Sequence, residues 1–417
     1  MGAYDEIVFE STRQLSEIMK VTPAQALKDA VKKAMGRSVR SKDHLFWPAG
    51  MLVLGLVEAL DADEASDAQA EKAVDNHINL WLSKGGRIRN VDDALFGYSM
   101  VRLYERSGND RYKQIADRIA EFIKEAPKDK AGSIIYNAGK GNANIFADGI
   151  GQVSLFLAAH VREKMRADDT SFEKNLDNDI YYYNENNYFS EMGMLYNMLM
   201  NYYMYGRDEK SGLIYHGYAL TEDVGNGSFV DYTNDSDGIR PANKLPGIRY
   251  GADRKGILGW GRAQGWLMMG LSEGACLEKE LKAKDKSDRQ WASYSLIPWF
   301  IEMTKTALEY QRPDGGWSWE LPAIDGHIDT SATGMIAYSI AKAYKAGLFE
   351  GVGNDENELK AAVRSSLLRA RDCMLEHTRD GRVYDALSSC DDFAVHYQTY
   401  GAYPWGQGAV LAALEVI

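Results

Sequence analysis

Two kinds of apolar pattern alternate along the 417-residue chain. Six segments are apolar around most of their circumference, each opening near a small or acidic residue. They are PAGMLVLGLVEAL (48–60), DDALFGYSMVRLYE (92–105), DGIGQVSLFLAAHV (148–161), GRAQGWLMMGLSEGA (261–275), TSATGMIAYSIAKAY (330–344) and WGQGAVLAALEVI (405–417). Such segments predict helices buried on several sides. Between them, roughly at 5–34, 65–84, 110–126, 171–204, 287–310 and 356–377, lie stretches with one apolar stripe and a charged face, as in DRYKQIADRIAEFIKE. These predict helices that cover a core on one side and face water on the other.

Twelve helices alternating between buried and surface types predict an all-α fold, an (α/α)6 barrel of six helical hairpins with the buried helices as an inner ring. The whole chain, 1–417, reads as one domain of this kind. An open α-solenoid is the competing architecture. It is disfavoured because hairpin length varies and no fixed repeat period is visible. Three strand-like pieces, GLIYHGYA (212–219), GGWSWEL (315–321) and GRVYDAL (381–387), read as parts of loops.

Closing such a ring gathers the N-terminal ends of the inner helices at one mouth. The residues there are polar or aromatic and odd for a core: Trp47, Asp92, Asp93, Asp148, Arg262, Gln264, Thr330, Ser331, Trp405 and Gln407. Helix N-termini also offer unpaired N–H groups and partial positive charge, which suits an anionic ligand.

Composition narrows the partners. The net charge is −12 with Lys and Arg scattered, so no basic stripe points to nucleic acid. Twenty-five Tyr and nine Trp suit a ring-shaped ligand with an apolar face and a hydroxylated rim, although a tyrosine-rich core has the same composition. Three cysteines without a CxxC and seven dispersed histidines without an HxxxH or HxH pair imply neither a disulfide framework nor a metal centre. No apolar run is long enough to span a membrane. The start, MGAYDEIVFE, lacks a basic and apolar leader. The expected location is therefore the cytoplasm, or the periplasm if a signal has been removed. The expected state is a monomer or weak homo-oligomer.

Several pieces, in order and nearly end to end, resemble glycoside hydrolase family 105, the unsaturated rhamnogalacturonyl hydrolases. The likeness to the family 88 unsaturated glucuronyl hydrolases is more distant. The pieces are NVDDALFGYSMVRLYERSGNDRY (90–112), FADGIGQVSLFLA (146–158), DEKSGLIYHGYA (208–219), LGWGRAQGWLMMGL (258–271), YQRPDGGWSWE (310–320), DTSATGMIAYSIAKAYKAG (329–347) and PWGQGAVLAAL (404–414). The resemblance implies a six-hairpin barrel, no metal or organic cofactor, and an unsaturated oligosaccharide left by a polysaccharide lyase as substrate. It implies hydration of the C4=C5 vinyl ether of a terminal uronic acid, followed by release of the sugar behind it, with pectin or rhamnogalacturonan as the polymer of origin.

By that resemblance Asp148 is the catalytic acid and Asp92 the second carboxylate. Burial beside Phe146 and an apolar helix raises a carboxyl's pKa, whereas a helix N-terminus lowers it, so the residues alone leave the balance open. Either acid is equally suited to capping its helix, and Asp93 rivals Asp92. His216 matches a ligand-binding histidine of the family. Arg262 and Trp266, four apart on one helix face, suit a carboxylate and a sugar face. Trp47, Thr330, Ser331 and Trp405 are further binding candidates. The chain departs from the family where Ile150, Gly151 and Gln152 follow the Asp-Gly pair. The loop 136–146 also holds no histidine, with Asn137 or Asn144 as partial replacements, and a long polar insertion spans 221–257. Two rivals remain: a sugar epimerase of related fold, which would call for a histidine pair, and a non-catalytic carbohydrate-binding barrel, which would not need both acids.

Overall fold

Each amphipathic stretch folds as a helix for the reason its spacing gives. In Asp110–Glu125 the buried residues are Tyr112, Ile115, Ala116, Ile119, Ala120 and Ile123, the i, i+3, i+4 rhythm of one helical face. Asn109 caps it by accepting the Arg111 N–H at 3.1 Å, and Gly108, left-handed at φ 64°, ends the helix before it. The apolar-all-round segments behave differently. From Pro48 to Ala59 every residue is buried.

The computed structural model describes residues 2–20, 23–35, 43–60, 67–136, 143–167, 188–223, 250–284, 295–353, 355–390, 393 and 398–417. Among these, the helices in chain order are α1 (Ala3–Ile18), α2 (Pro23–Ala34), α3 (Trp47–Ala59), α4 (Asp67–Ser83), α5 (Asp93–Ser107), α6 (Asp110–Glu125), α7 (Ala147–Ala167), α8 (Tyr188–Tyr205), α9 (Gly261–Lys284), α10 (Leu296–Glu309), α11 (Thr330–Lys345), α12 (Glu356–Glu376) and α13 (Pro404–Val416). Helices α3, α5, α7, α9, α11 and α13 each pack on the next, and α13 packs back on α3, so the ring closes into an α/α barrel. The partners α1, α4, α6, α8, α10 and α12 lie outside it, each preceding its inner helix in sequence. The stretch 5–34 is not one helix as its pattern suggested. It divides into α1 and α2, and Pro23 opens the second, at a position where its missing N–H costs nothing. The expected helices at 171–204 and 287–310 are described from Tyr188 and Leu296 onward, and their earlier parts lie outside the described residues.

Glycine sets the spacing of the ring. A methyl group on Gly408 of α13 would stand 2.2 Å from the Met51 carbonyl oxygen of α3, and one on Gly151 of α7 would stand 2.1 Å from the Trp266 carbonyl oxygen of α9. Only a residue without Cβ permits this backbone approach.

Among the described residues, strands are few and short. β1 (Ile145–Phe146), β2 (Gly217–Asp223) and β3 (Tyr250–Lys255) form an antiparallel sheet in that order. β4 (Thr378–Arg379) pairs with β5 (Arg382–Val383), and β6 (Ala386–Leu387) with β7 (Tyr400–Gly401). All lie in connections that lead from an outer helix to the start of an inner one, which puts them on the mouth side. Of the polar insertion 221–257, the flanks belong to β2 and β3, and 224–249 lies outside the described residues.

Far from the mouth, the ring is filled by a buried ionic cluster. Glu58 accepts hydrogen bonds from the Tyr98 and Tyr338 hydroxyls at 2.9 and 2.8 Å, and Lys342 lies 3.8 Å from Glu58 and 3.3 Å from Glu273. Burial opposes the charge on Glu58, but Lys342 and Arg102 outweigh it and keep its pKa below the usual value. Glu58 lies eleven positions after Trp47 on α3, about 16 Å along the axis.

Candidate active site

Strand register delivers the central pair of the mouth. β1 pairs with β2 so that Phe146 faces Gly217, and the Ala147 N–H donates to the His216 carbonyl at 3.0 Å. Asp148, in the first turn of α7, therefore meets the His216 side chain, with Oδ2 3.0 Å from Nε2. His216 is buried, with Trp260 at 4.2 Å between ring centroids and the edges of Phe146 and Phe393 at 5.2 and 5.4 Å. Phe393 stacks flat on Phe146 at 4.1 Å. The Asp148 side chain stays 18% exposed, so the acid is reachable while its partner is enclosed.

Asp92 stands at the start of the neighbouring inner helix α5 and is buried. Its side chain makes no helix cap. The local backbone is held by Asp93, whose Oδ2 accepts the N–H groups of Arg89 and Asn90 at 2.7 and 3.3 Å. Asp92 is thereby free of that structural duty. Burial raises its pKa to about 6, assisted by Asp43 and resisted by the N–H groups of Asp92 and Trp47 and by the Tyr136 hydroxyl. Asp93 is pushed further, to about 8, by burial and by the adjoining Asp92. The two neighbours thus have separate tasks, which sequence alone left open.

Aromatic rings and one guanidinium form the rest of the mouth. Trp47 packs on Trp405 at 4.8 Å, and Trp405 stacks on Tyr403 at 4.6 Å with the planes nearly parallel. Arg262 is buried, its guanidinium 4.8 Å from Trp260, 5.9 Å from Trp47 and 5.8 Å from Trp405. It donates to the carbonyls of Leu387 and Ser388 at 2.9 and 3.0 Å. Arg262 thus fastens the segment after β6 across the mouth. Trp266 is buried beneath Trp47, which it meets edge-on at 6.3 Å, and supports that ring.

Three polar candidates turn inward. The Thr330 hydroxyl donates to the Tyr384 carbonyl at 2.8 Å, and the Ser331 hydroxyl donates to Asp329, which also accepts the N–H of Leu387. Gln264 holds the backbone of Ile214 through both ends of its amide. Thr330 and Ser331 are fully buried, and their chemistry is that of anchoring 384–388 rather than of meeting a ligand. Trp405 shares the task, since its indole N–H donates to the Leu387 carbonyl at 2.9 Å.

Two mouth residues carry no signal in the sequence. Tyr136 lies half-buried between the carboxylates, donating to Asp92 Oδ2 at 3.3 Å while its ring rests on Phe146 and Gly149. Cys390 lies beside Arg262 and within the field of Asp148, its thiol pushed up to about 11 by burial. Both come from irregular connections with no periodicity to mark them. Of the loop asparagines, Asn137 lies outside the described residues. Among the described residues, no group of three or more His, Cys, Asp or Glu is placed to share a metal ion. No described helix is long and apolar enough to cross a membrane.

The sequence profile of Glycosyl Hydrolase Family 88 matches residues 18–226 and 253–416, most of the chain. The chain belongs to that family and is a glycoside hydrolase. No curated protein matches it by sequence. Solved structures share the barrel at low identity. One is a possible member of glycoside hydrolase family 105 from Salmonella enterica serovar Paratyphi A, with TM-score 0.66 and 15% identity, covering 100% of this chain and 94% of that one. A second possible family 105 member, from Klebsiella pneumoniae, has TM-score 0.65 and 16% identity, covering 98% and 92%. The unsaturated glucuronyl hydrolase of Bacillus sp. GL1, responsible for glycosaminoglycan degradation, has TM-score 0.60 and 13% identity, covering 90% and 87%.

Proposed function

We propose that the enzyme removes a terminal 4,5-unsaturated uronic acid from oligosaccharides produced by a polysaccharide lyase. The observation that carries this reading is the pairing of a partly exposed Asp148 with His216 at one inner-helix start, beside the buried Asp92 at the next. Asp148 in its acid form gives its proton to C4, and the π electrons of C4=C5 form the new C–H bond. Positive charge develops at C5 and is shared by the ring oxygen. Water adds at C5 and returns a proton to the Asp148 carboxylate. The hemiketal at C5 opens, and collapse at C1 releases the sugar behind it. His216 holds Asp148 in place through either protonation state, because an imidazole nitrogen can donate to a carboxylate or accept from a carboxylic acid. Asp92 accepts hydrogen bonds from sugar hydroxyls or from the attacking water. Trp47 offers a partly exposed ring to the sugar face.

For the polymer of origin we favour pectin or rhamnogalacturonan, on the resemblance of the motifs at 90–112, 146–158 and 258–271 to family 105. The family 88 match and the likeness to an unsaturated glucuronyl hydrolase specific for heparin support a second reading, in which the uronate comes from another polysaccharide. Incubation with lyase products of pectin, rhamnogalacturonan, heparin and chondroitin, followed by loss of the ultraviolet absorbance of the conjugated double bond, separates the two. Consumption of none of them would reject both.

A further inference from the structure

We infer that Tyr136 is a positioning residue of this site, its hydroxyl orienting the Asp92 carboxylate toward the ligand from a ring wedged between the starts of α5 and α7. The proposal rests on the functional reading above, and it adds a residue that neither the family pattern nor the sequence marks. The ring is held on two sides. It packs on Phe146 at 5.4 Å between centroids, and it touches Gly149 so closely that a methyl there would stand 2.8 Å from Tyr136 Cδ2. Gly149 follows Asp148 directly, so the same ring that reaches Asp92 lies against the turn carrying Asp148.

The hydroxyl has one role available. Burial, then the charges of Asp92, Asp148 and Asp93, hold its pKa well above the usual tyrosine value, so it keeps its proton and donates. The Asp92 oxygen that receives this bond has its direction set, which leaves the other to a sugar hydroxyl or a water. Among the described residues, the groups acting on Asp92 are the acid Asp43, which opposes its ionisation, and the backbone N–H groups of Asp92 and Trp47 and the Tyr136 hydroxyl, which favour it. Tyr136 is the one side-chain donor among them. Removing its hydroxyl should leave Asp92 protonated up to higher pH and turn an acceptor into a donor at the pH where the enzyme works.

Tyr136→Phe keeps the ring and its packing and removes only the oxygen. In the free protein, the carboxyl titration of Asp92 followed by carbon-13 NMR, assigned with Asp92→Asn, should move upward by about one pH unit, the scale of one hydrogen bond to a charged group. With a substrate that the wild type consumes, kcat at neutral pH should fall at least about tenfold while KM changes less than about threefold, and the loss should shrink as pH is raised and Asp92 ionises again. An Asp92 titration that does not move would overturn the proposal. So would a loss of equal size at every pH, which means the hydroxyl does not act through the charge of Asp92, or no loss at all, which marks the ring as packing alone. The NMR arm needs no turnover, so a wild type inert toward unsaturated uronides would reject the function while the Tyr136–Asp92 relation is still decided by the titration.

Discussion

His216 Nε2 stands 3.0 Å from Asp148 Oδ2, although 68 positions separate the two residues in the chain. The β1–β2 register brings them together, and the Ala147 N–H bond to the His216 carbonyl ties the backbones one residue away. The histidine is enclosed by Phe146, Phe393 and Trp260, whereas the acid has one side open. This arrangement holds the Asp148 carboxyl in place and leaves its approach clear.

On the proposed function, replacing His216 should alter turnover more than binding. His216→Ala should lower kcat at least about tenfold, a part of the roughly hundredfold or more that a positioned acid–base group such as Asp148 contributes. His216→Gln, which still offers an amide to Asp148, should lose less. Steady-state kinetics of the two variants decide this, and equal, small losses in both would show that Asp148 needs no such support.

Asp93 gives the fold a pH dependence that can be isolated. In the folded protein it holds its proton up to about pH 8, whereas in the unfolded chain it releases it near the ordinary aspartate value of about 4. Between these limits the native state binds more protons, so stability falls as pH rises and levels off above about 8. Asp93→Asn keeps an oxygen for the Arg89 and Asn90 N–H groups and has no charge to acquire. Thermal melts from pH 5 to pH 9 should show the variant gaining on the wild type as pH rises, and a constant difference would contradict the burial argument.

The close approach of α3 and α13 is open to the same kind of test. Gly408→Ala forces a methyl into the 2.2 Å space before the Met51 carbonyl, and backbone there cannot swing aside. Overpacking of this kind costs about 1–3 kcal/mol or more. Chemical denaturation should register the loss, and a variant as stable as the wild type would mean that the ring tolerates a wider seam.

Lys342→Ala is predicted to act on stability without touching the chemistry. It removes the cation that Glu58 and Glu273 share but leaves Arg102 beside Glu58 and Arg162 beside Glu273, so stability should fall by less than the roughly 3–5 kcal/mol of a buried charge left wholly unpaired. The cluster lies toward the other end of the barrel from Asp148. In a variant still folded at the assay temperature, kcat should match the wild type, and a large fall in kcat would show that the cluster reaches the site.

The barrel was legible because its signal is repeated: six all-apolar segments cannot be buried singly, and a ring buries them all. The mouth followed, since the first residue of each inner helix has to emerge there, and this is how Asp92, Asp148, Trp47, Arg262 and Trp405 come within one set of contacts. What each of them touches was not legible. Thr330 and Ser331 have the hydroxyls a sugar site uses, but Tyr384 and Asp329 engage both. Arg262 has the fork that grips a carboxylate, but it grips two carbonyls of the chain. Asp93 rather than Asp92 holds the backbone at the start of α5, a difference of one residue that only geometry resolves. Tyr136 was invisible because it sits in an irregular loop, where no period and no spacing relates it to the acids it joins.

Whether Asp148 supplies the proton to C4 of an unsaturated uronide is decided by turnover in heavy water, compared between the wild type and Asp148→Asn. The wild type should abolish the ultraviolet absorbance of the double bond and leave one deuterium at C4 of the product, because the carboxyl exchanges with solvent. Asp148→Asn should fold, bind the substrate and turn over at least about a hundredfold more slowly, the scale of general acid catalysis. Near-normal turnover by Asp148→Asn would show that Asp148 is not the proton donor, and a wild type that cleaves saturated glycosides and leaves the unsaturated ones intact would show that the reaction is not hydration of the double bond.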